Sequence, residues 1–255
     1  MSKEKQIAVI FNELLNEYCN LNYYTPSKNI SNEANVEWVF FKDSMFARPN
    51  VRKYSLTNRQ KDYMCLANQN ELLSLHYDLN KNIYDAANTW DSYDYGEGYF
   101  YQSCDAVHVT GLRDTTGRIQ FMNLKERLKG KKVLEIGCNT SFLTVSVARF
   151  VKTIEGFDIN PFLISSGKRV AKYLKTDNCT LKVCSFEKFS TEEKFDTVLS
   201  FANHSTFDKN TKQSVQDYFK RCHDLLKPSG ELLFESHPPE HEGEGLKYVI
   251  AFIIH

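Results

Sequence analysis

From residue 115 onward the chain alternates strand-length apolar runs with helix-length amphipathic ones, and this alternation limits the folds open to it. The pattern predicts strands over 132–137, 153–158, 180–185, 195–201 and 231–236, with helices over 140–151, 161–175 and 210–227. Strands that alternate with helices build βαβ units, hence a mostly parallel sheet with helices on both faces. Ahead of the first strand, Thr115 or Thr116 is expected to cap a helix carrying Ile119, Met122, Leu124 and Leu128, which Gly130 stops. Asn160-Pro161 is a good helix start, because proline at the first helical position gives up only an orphan N–H. "KPSG" at 227–230 reads as a helix stop followed by a turn.

The region before residue 115 has a different character. Ile7, Ile10, Phe11, Leu14, Leu15 and Tyr18 fall on one helical face within 4–19, and a second helical stretch covers 58–87. Pro26 and Pro49 mark loops between them. The expected organisation is a mainly helical N-terminal extension or cap over 1–114 and a ligand-binding domain over 115–255.

In a doubly wound sheet the first β-to-α turn faces the ligand. Here that turn is Gly137-Cys138-Asn139-Thr140-Ser141, following the strand that carries Glu135. A dinucleotide site wants G-x-G-x-x-G, so that backbone can approach a pyrophosphate. This turn has only the first glycine; Asn139 stands where the second belongs, and a carboxylate at Glu135 would repel phosphates. A cofactor without phosphates and with an ammonium group suits both features, and S-adenosylmethionine is one. Asp158, at the end of the next strand, is placed to accept from both ribose hydroxyls. Ser185 can bond the adenine edge and Phe186 pack on its face, while "FDTVLSFANHSTF" delivers Ser200 to His204 beside the sulfonium.

The motifs "VLEIGCNTSF", "GFDIN", "CSFEKF", "FDTVLSF" and "LLKPSGELLFES" occur in an order and spacing that resemble the class I S-adenosylmethionine-dependent methyltransferases. The resemblance covers about 115–237. It implies a Rossmann-like α/β fold, S-adenosyl-L-methionine as cofactor, and a site that includes Glu135, Gly137, Cys138, Asn139, Asp158, Ile159, Ser185, Phe186 and Phe201. Two departures stand out. Asn139 and Ser141 replace glycines, which would stiffen the loop. The family sheet also ends in an antiparallel hairpin, and only 18 residues follow His237. An abbreviated C-terminal end is therefore expected, with the fifth strand's edge covered by the N-terminal region or by a second subunit, in a possible homodimer.

Before the first family strand, "WDSYDYGEGYFYQS" suggests a flap with Tyr101 and Gln102 as polar tips. Of the two arginines in "GLRDTTGR", Arg113 is the candidate for the cofactor's carboxylate or an anionic acceptor, since a guanidinium fork matches such groups. His204 is the candidate general base, being the group in "SFANHST" that titrates near neutral pH. Cys138 reads as a small turn residue, without a cationic neighbour to activate it as a nucleophile.

Lys+Arg and Asp+Glu balance at 32 each, so no global positive field favours nucleic acid or an anionic membrane. Seven cysteines without a CxxC pair disfavour a disulfide framework or zinc ribbon and suit a reducing cytoplasm. Neither a signal peptide nor a membrane span is evident. No metal is expected, because Glu235, His237, Glu240 and His241 in "ESHPPEHEGE" match no standard zinc spacing. A magnesium-assisted enzyme acting on RNA ends is the less favoured reading of that stretch. The expected activity is methyl transfer to a small polar acceptor, by O-methylation of a saccharide, a phosphorylated metabolite or a natural-product intermediate. RNA or tRNA methylation is the alternative within the same chemistry, and a non-catalytic cofactor- or partner-binding protein the alternative of another class.

Overall fold

The computed structural model describes residues 70–89, 100–204, 213–235 and 251–254. The helix expected over 4–19, the first part of that over 58–87, residues 90–99 of the flap, and His237, Glu240 and His241 lie outside the described residues. The chain divides into two compact units, one of residues 1–90 with 94–116, the other of residues 91–93 with 117–255.

In the first unit, helix α1 (Asn70–Thr89) buries Leu72, Leu75, Leu79 and Ile83 along one side. That i, i+3, i+7 spacing is what a helix needs to cover a core. Its His76 Nε2 lies 2.6 Å from the carbonyl of Val107. Residues 100–104 pair with 109–113 around a short 3-10 turn, Asp105–Val107. Gly111 is needed there, because a Cβ would stand 2.1 Å from the Gln102 carbonyl carbon.

The second unit is built on a sheet of order β3-β2-β1-β4-β5-β6. Its strands are β1 (Lys132–Ile136), β2 (Thr153–Asp158), β3 (Cys179–Val183), β4 (Phe195–Phe201), β5 (Leu226–Glu235) and β6 (Ala251–Ile254). The first five are parallel and β6 is antiparallel. Alternate residues of each strand face opposite sides. Val133, Ile154, Leu199 and Leu233 pack with Ile119, Leu124, Leu143 and Val147 on one face. Leu134, Ile136, Phe157, Val198, Leu232 and Phe234 pack with Tyr218 and Cys222 on the other. The helices are α2 (Thr115–Phe121), α3 (Leu124–Arg127), α4 (Phe142–Ala148), α5 (Pro161–Tyr173) and α6 (Val215–Leu225). This is the expected Rossmann-like, doubly wound α/β arrangement. Asn160 caps α5 as the sequence suggests, its Oδ1 accepting from the N–H groups of Phe162 and Leu163 at 3.0 and 3.3 Å.

Four local expectations are corrected. The single helix expected from Thr115 to Gly130 is two short ones, because Asn123 takes a left-handed conformation with φ 51°. Thr115 and Thr116 lie inside α2 rather than capping it. "KPSG" is not a turn between helix and strand: β5 already begins at Leu226, and its register with β4 jumps from Phe195↔Leu226 to Thr197↔Glu231. Five residues on β5 thus oppose two on β4, and Lys227–Gly230 form a bulge with Ser229 at φ 62°. Finally, the fifth strand's edge is paired by the chain's own C-terminal strand, with Leu232↔Ile254 through Glu235↔Ala251 in register. The N-terminal region and a second subunit are not what pairs it. Among the described residues no helix is long and apolar enough to cross a membrane.

Candidate functional site at the carboxyl ends of the strands

The sheet order reverses between β1 and β4, and such a switch point opens a crevice at the carboxyl ends of the strands. The turn after β1 lies there. Gly137, Asn139 and Ser141 all have positive φ, at 62°, 51° and 61°. The two residues that replace glycines therefore keep a glycine-like backbone, and neighbours hold them in it. The Asn139 N–H donates to Asp158 Oδ2 at 2.9 Å, and its own Oδ1 accepts from the Thr140 N–H at 2.8 Å. The Ser141 N–H donates to the Cys138 carbonyl at 2.8 Å, and the Cys138 N–H to the Phe157 carbonyl at 3.0 Å. Asp158 Oδ1 also accepts from the Asn160 N–H at 3.0 Å. Asp158 is thus the tie between the first turn and the second.

Glu135 does not stand at an open mouth, as its place near a strand end suggested. It is 2% exposed and shares the sheet face of Val133. Its Oε2 accepts from the Thr144 hydroxyl of α4 at 2.5 Å. Burial pushes its carboxyl up to about 7; the Thr144 hydrogen bond and the Arg118 guanidinium pull it down, and the Asp158 charge pushes it up. Burial, with Glu135 and Asp158 nearby, also lifts the Cys138 thiol well above its ordinary range, which keeps it protonated and unreactive. Two acids thus converge on one turn, a surrounding that favours a cationic ligand and resists a pyrophosphate. The donor set fits the ammonium of S-adenosylmethionine.

Hydrogen bonds tie the end of β1 to β4 and α6. Asn203 Nδ2 donates to the carbonyl of Ile136, the last residue of β1. Its Oδ1 meets the hydroxyls of Ser200 at 2.9 Å and Tyr218 at 2.8 Å, and those hydroxyls lie 2.8 Å from each other. A Cβ on Gly137 would stand 2.8 Å from Asn203 Nδ2, so this close approach needs glycine as much as the positive φ does. Sequence reasoning missed Asn203 and Tyr218. Asn203 lies within the quoted "SFANHST", whereas Tyr218 looks like any apolar-face helix residue.

The remaining candidates fall in different places. Ile159 is half-buried beside Asp158. Ser185 Oγ accepts from the Lys188 N–H at 3.3 Å. Phe186 lies in the core rather than open to an adenine: Phe157 stacks on it at 6.2 Å, Tyr218 tilts against it at 4.9 Å, and the Arg221 guanidinium sits 4.8 Å from its centroid. His204 is 3% exposed, edge-on to Phe234 at 5.0 Å and to Tyr218 at 6.4 Å. Phe201 lies on the opposite face, where the Arg118 guanidinium sits 5.1 Å from its centroid. Tyr101 and Arg113 belong to the first unit, with Arg113 Nε 3.4 Å from the Tyr101 hydroxyl. Within the second unit Arg118 reaches the strand ends, its Nη2 donating to Glu235 Oε1 at 3.0 Å. Its charge in a loop-flanking position resembles that of any solvated arginine, which hid it in the sequence.

Comparison with known proteins bears on this geometry. Residues 127–247 match a family described as a methyltransferase domain. The chain is 26% identical over 122 residues to the ubiquinone biosynthesis O-methyltransferase of Coxiella burnetii, covering 47% of this chain and 49% of that one. It is 26% identical over 161 residues to the mitochondrial ubiquinone biosynthesis O-methyltransferase of Mus musculus, covering 60% and 41%. The chain spans about half the length of the curated relatives it matches. A solved structure of an S-adenosylmethionine-dependent methyltransferase from Thiobacillus denitrificans, in complex with S-adenosyl-L-homocysteine, aligns at TM-score 0.40 and 19% identity, covering 46% and 47%.

Proposed function

Because residues 127–247 match a family described as a methyltransferase domain, we propose that the protein is a class I, S-adenosylmethionine-dependent methyltransferase that acts on a hydroxyl of a small polar acceptor. The observation that carries this reading is the pair of acids, Glu135 and Asp158, at the ends of adjacent strands around a turn held in positive φ. When bound, the cofactor supplies an electrophilic methyl on a positively charged sulfur. Glu135 faces the ammonium. Asp158 accepts from the ribose hydroxyls, and a carboxylate has acceptor sites enough to do so while holding the Asn139 N–H. Gly137, Cys138 and Asn139 present backbone, while Ile159, Ser185 and Phe201 line the site. The acceptor class is a saccharide, a phosphorylated metabolite or a natural-product intermediate. Relatives named for O-methylation support a hydroxyl, and the balanced charge supports a small molecule over RNA.

A hydroxyl loses its proton as it attacks, and His204, just beyond β4, takes that proton. A second reading comes from the burial of His204 against Phe234 and Tyr218. In it the imidazole packs the loop, and rate comes from holding acceptor and methyl in line. His204→Gln separates the two. As a base, His204 makes the variant roughly 10²–10⁴-fold slower at unchanged cofactor affinity; near-normal turnover would remove it from the chemistry. The test of the whole reading is denaturing mass spectrometry of a metabolite extract incubated with protein and S-adenosylmethionine. A small polar metabolite should gain one methyl group; methylated RNA, or no methylated product, would contradict it.

A further inference from the structure

At the amino ends of β4 and β5, the end of the sheet opposite the crevice, the second unit holds a cavity of about 380 Å³. Pockets of that size ordinarily hold small molecules. The bulge Lys227–Gly230 lines one side, and Phe219 and His223, one turn apart on α6, line the other. The bulge makes the room: five residues of β5 oppose two of β4, so surplus backbone leaves the ladder, with Ser229 at φ 62°. Leu226 and Leu232, before and after the bulge, add apolar wall. The Phe219 ring is half-buried, edge-on to Phe234 at 5.0 Å and to Tyr218 at 6.0 Å. Those neighbours fix its orientation, so an aromatic guest meets a ring already placed.

Among the described residues, the titratable groups that line this cavity are basic: Lys194, His223 and Lys227. Lys227 Nζ bonds Asp196 Oδ1 at 2.7 Å, and His223 Nδ1 lies 3.7 Å from Asp224 Oδ1. Neither acid lines the cavity. Lys194 differs from both. Its Nζ donates to the backbone carbonyl of Asp224, a neutral acceptor, and among the described residues no carboxylate pairs with it. One uncompensated ammonium beside an apolar wall complements one negative charge on an apolar body. A phosphate dianion would meet one uncompensated cation and leave the apolar wall unused. We infer that this cavity binds an aromatic monocarboxylate, with the carboxylate on Lys194 and the ring against Phe219. It is a second ligand site, at the far end of the sheet from the cofactor crevice, and it stands whether or not the cofactor reading does.

The test is calorimetry on the full chain with three probes. Naphthalene-2-carboxylate carries both ring and charge, naphthalene-2-methanol the ring alone, and inorganic phosphate the charge alone. The carboxylate should bind saturably and about five- to tenfold more tightly than the alcohol, a modest charge-assisted gain because Lys194 is exposed. Phosphate should not bind saturably over the same range. Lys194→Met should bring the carboxylate down to the affinity of the alcohol and leave the alcohol unchanged, which also shows that the variant is folded. Lys194→Arg should keep most of the preference. In a nitrogen-15 NMR titration with the carboxylate, the amide signals of Ser229 and Gly230 should shift. Absence of saturable carboxylate binding, or equal affinity of the unaltered protein for acid and alcohol, would overturn the inference without any variant having to fold. So would a Lys194→Met protein that retains the preference, phosphate that binds as tightly as the carboxylate, or amide shifts confined to other parts of the chain.

Discussion

Burial lifts the Glu135 carboxyl from an ordinary value of 4.5 to about 7, and the sign of the consequence follows from which state holds the proton more tightly. The native protein keeps this proton to higher pH than the unfolded chain does. Its contribution to stability is therefore complete below about pH 4.5 and is lost as pH rises through about 7, by roughly 3 kcal/mol. Glu135→Gln should leave denaturant stability little changed at pH 5, raise it at pH 8 and flatten its slope between. An unchanged slope would mean that Glu135 ionises freely despite its burial. A cation bound beside Glu135 should lower its pKa, so cofactor binding near pH 7 should release protons, visible as a dependence of binding heat on the buffer's ionisation enthalpy. Gly137 has a different constraint. Alanine there would combine φ 62° with a Cβ 2.8 Å from Asn203 Nδ2, and should cost about 1–3 kcal/mol in thermal unfolding. At this scale the acids and the first glycine were legible, because their chemistry is written in residue type and spacing. The burial of Glu135, the core packing of Phe186 and the reach of Arg118 were not, since each depends on which element packs against the residue.

The link between α6 and the end of β4 rests on the Tyr218 hydroxyl, which lies 2.8 Å from both Ser200 Oγ and Asn203 Oδ1. Tyr218→Phe should keep the fold, since the ring stays in the core and Ser200 and Asn203 still meet each other. It should cost about 0.5–1.5 kcal/mol, the net worth of one hydrogen bond, and should weaken cofactor binding through the looser turn at Ile136 and Gly137. A variant as stable as the unaltered protein would make the network incidental. Elements with a clean period were legible to the residue: β2 and β4 begin and end where their alternation does. The helix break at Asn123 was not, because the apolar spacing of Ile119, Leu124 and Leu128 continues across it and all three are buried. The bulge at Lys227–Gly230 was hidden for another reason. Proline and glycine mark a turn to any local reading, and only the pairing with β4 shows that the strand has already begun.

At the scale of the whole molecule, the sheet order and the acids at its carboxyl ends make one claim about what the protein holds: a cofactor with a positive charge and no phosphates. The balanced charge of the chain supplies no long-range pull on either kind of ligand, so the discrimination has to come from the site. Calorimetry of the full chain at pH 7 with S-adenosylmethionine and, separately, with NAD tests that claim most directly. The account predicts saturable binding of S-adenosylmethionine, weakened by Asp158→Ala by roughly 1–3 kcal/mol, and no comparable binding of NAD. Saturable binding of NAD without binding of S-adenosylmethionine would contradict it.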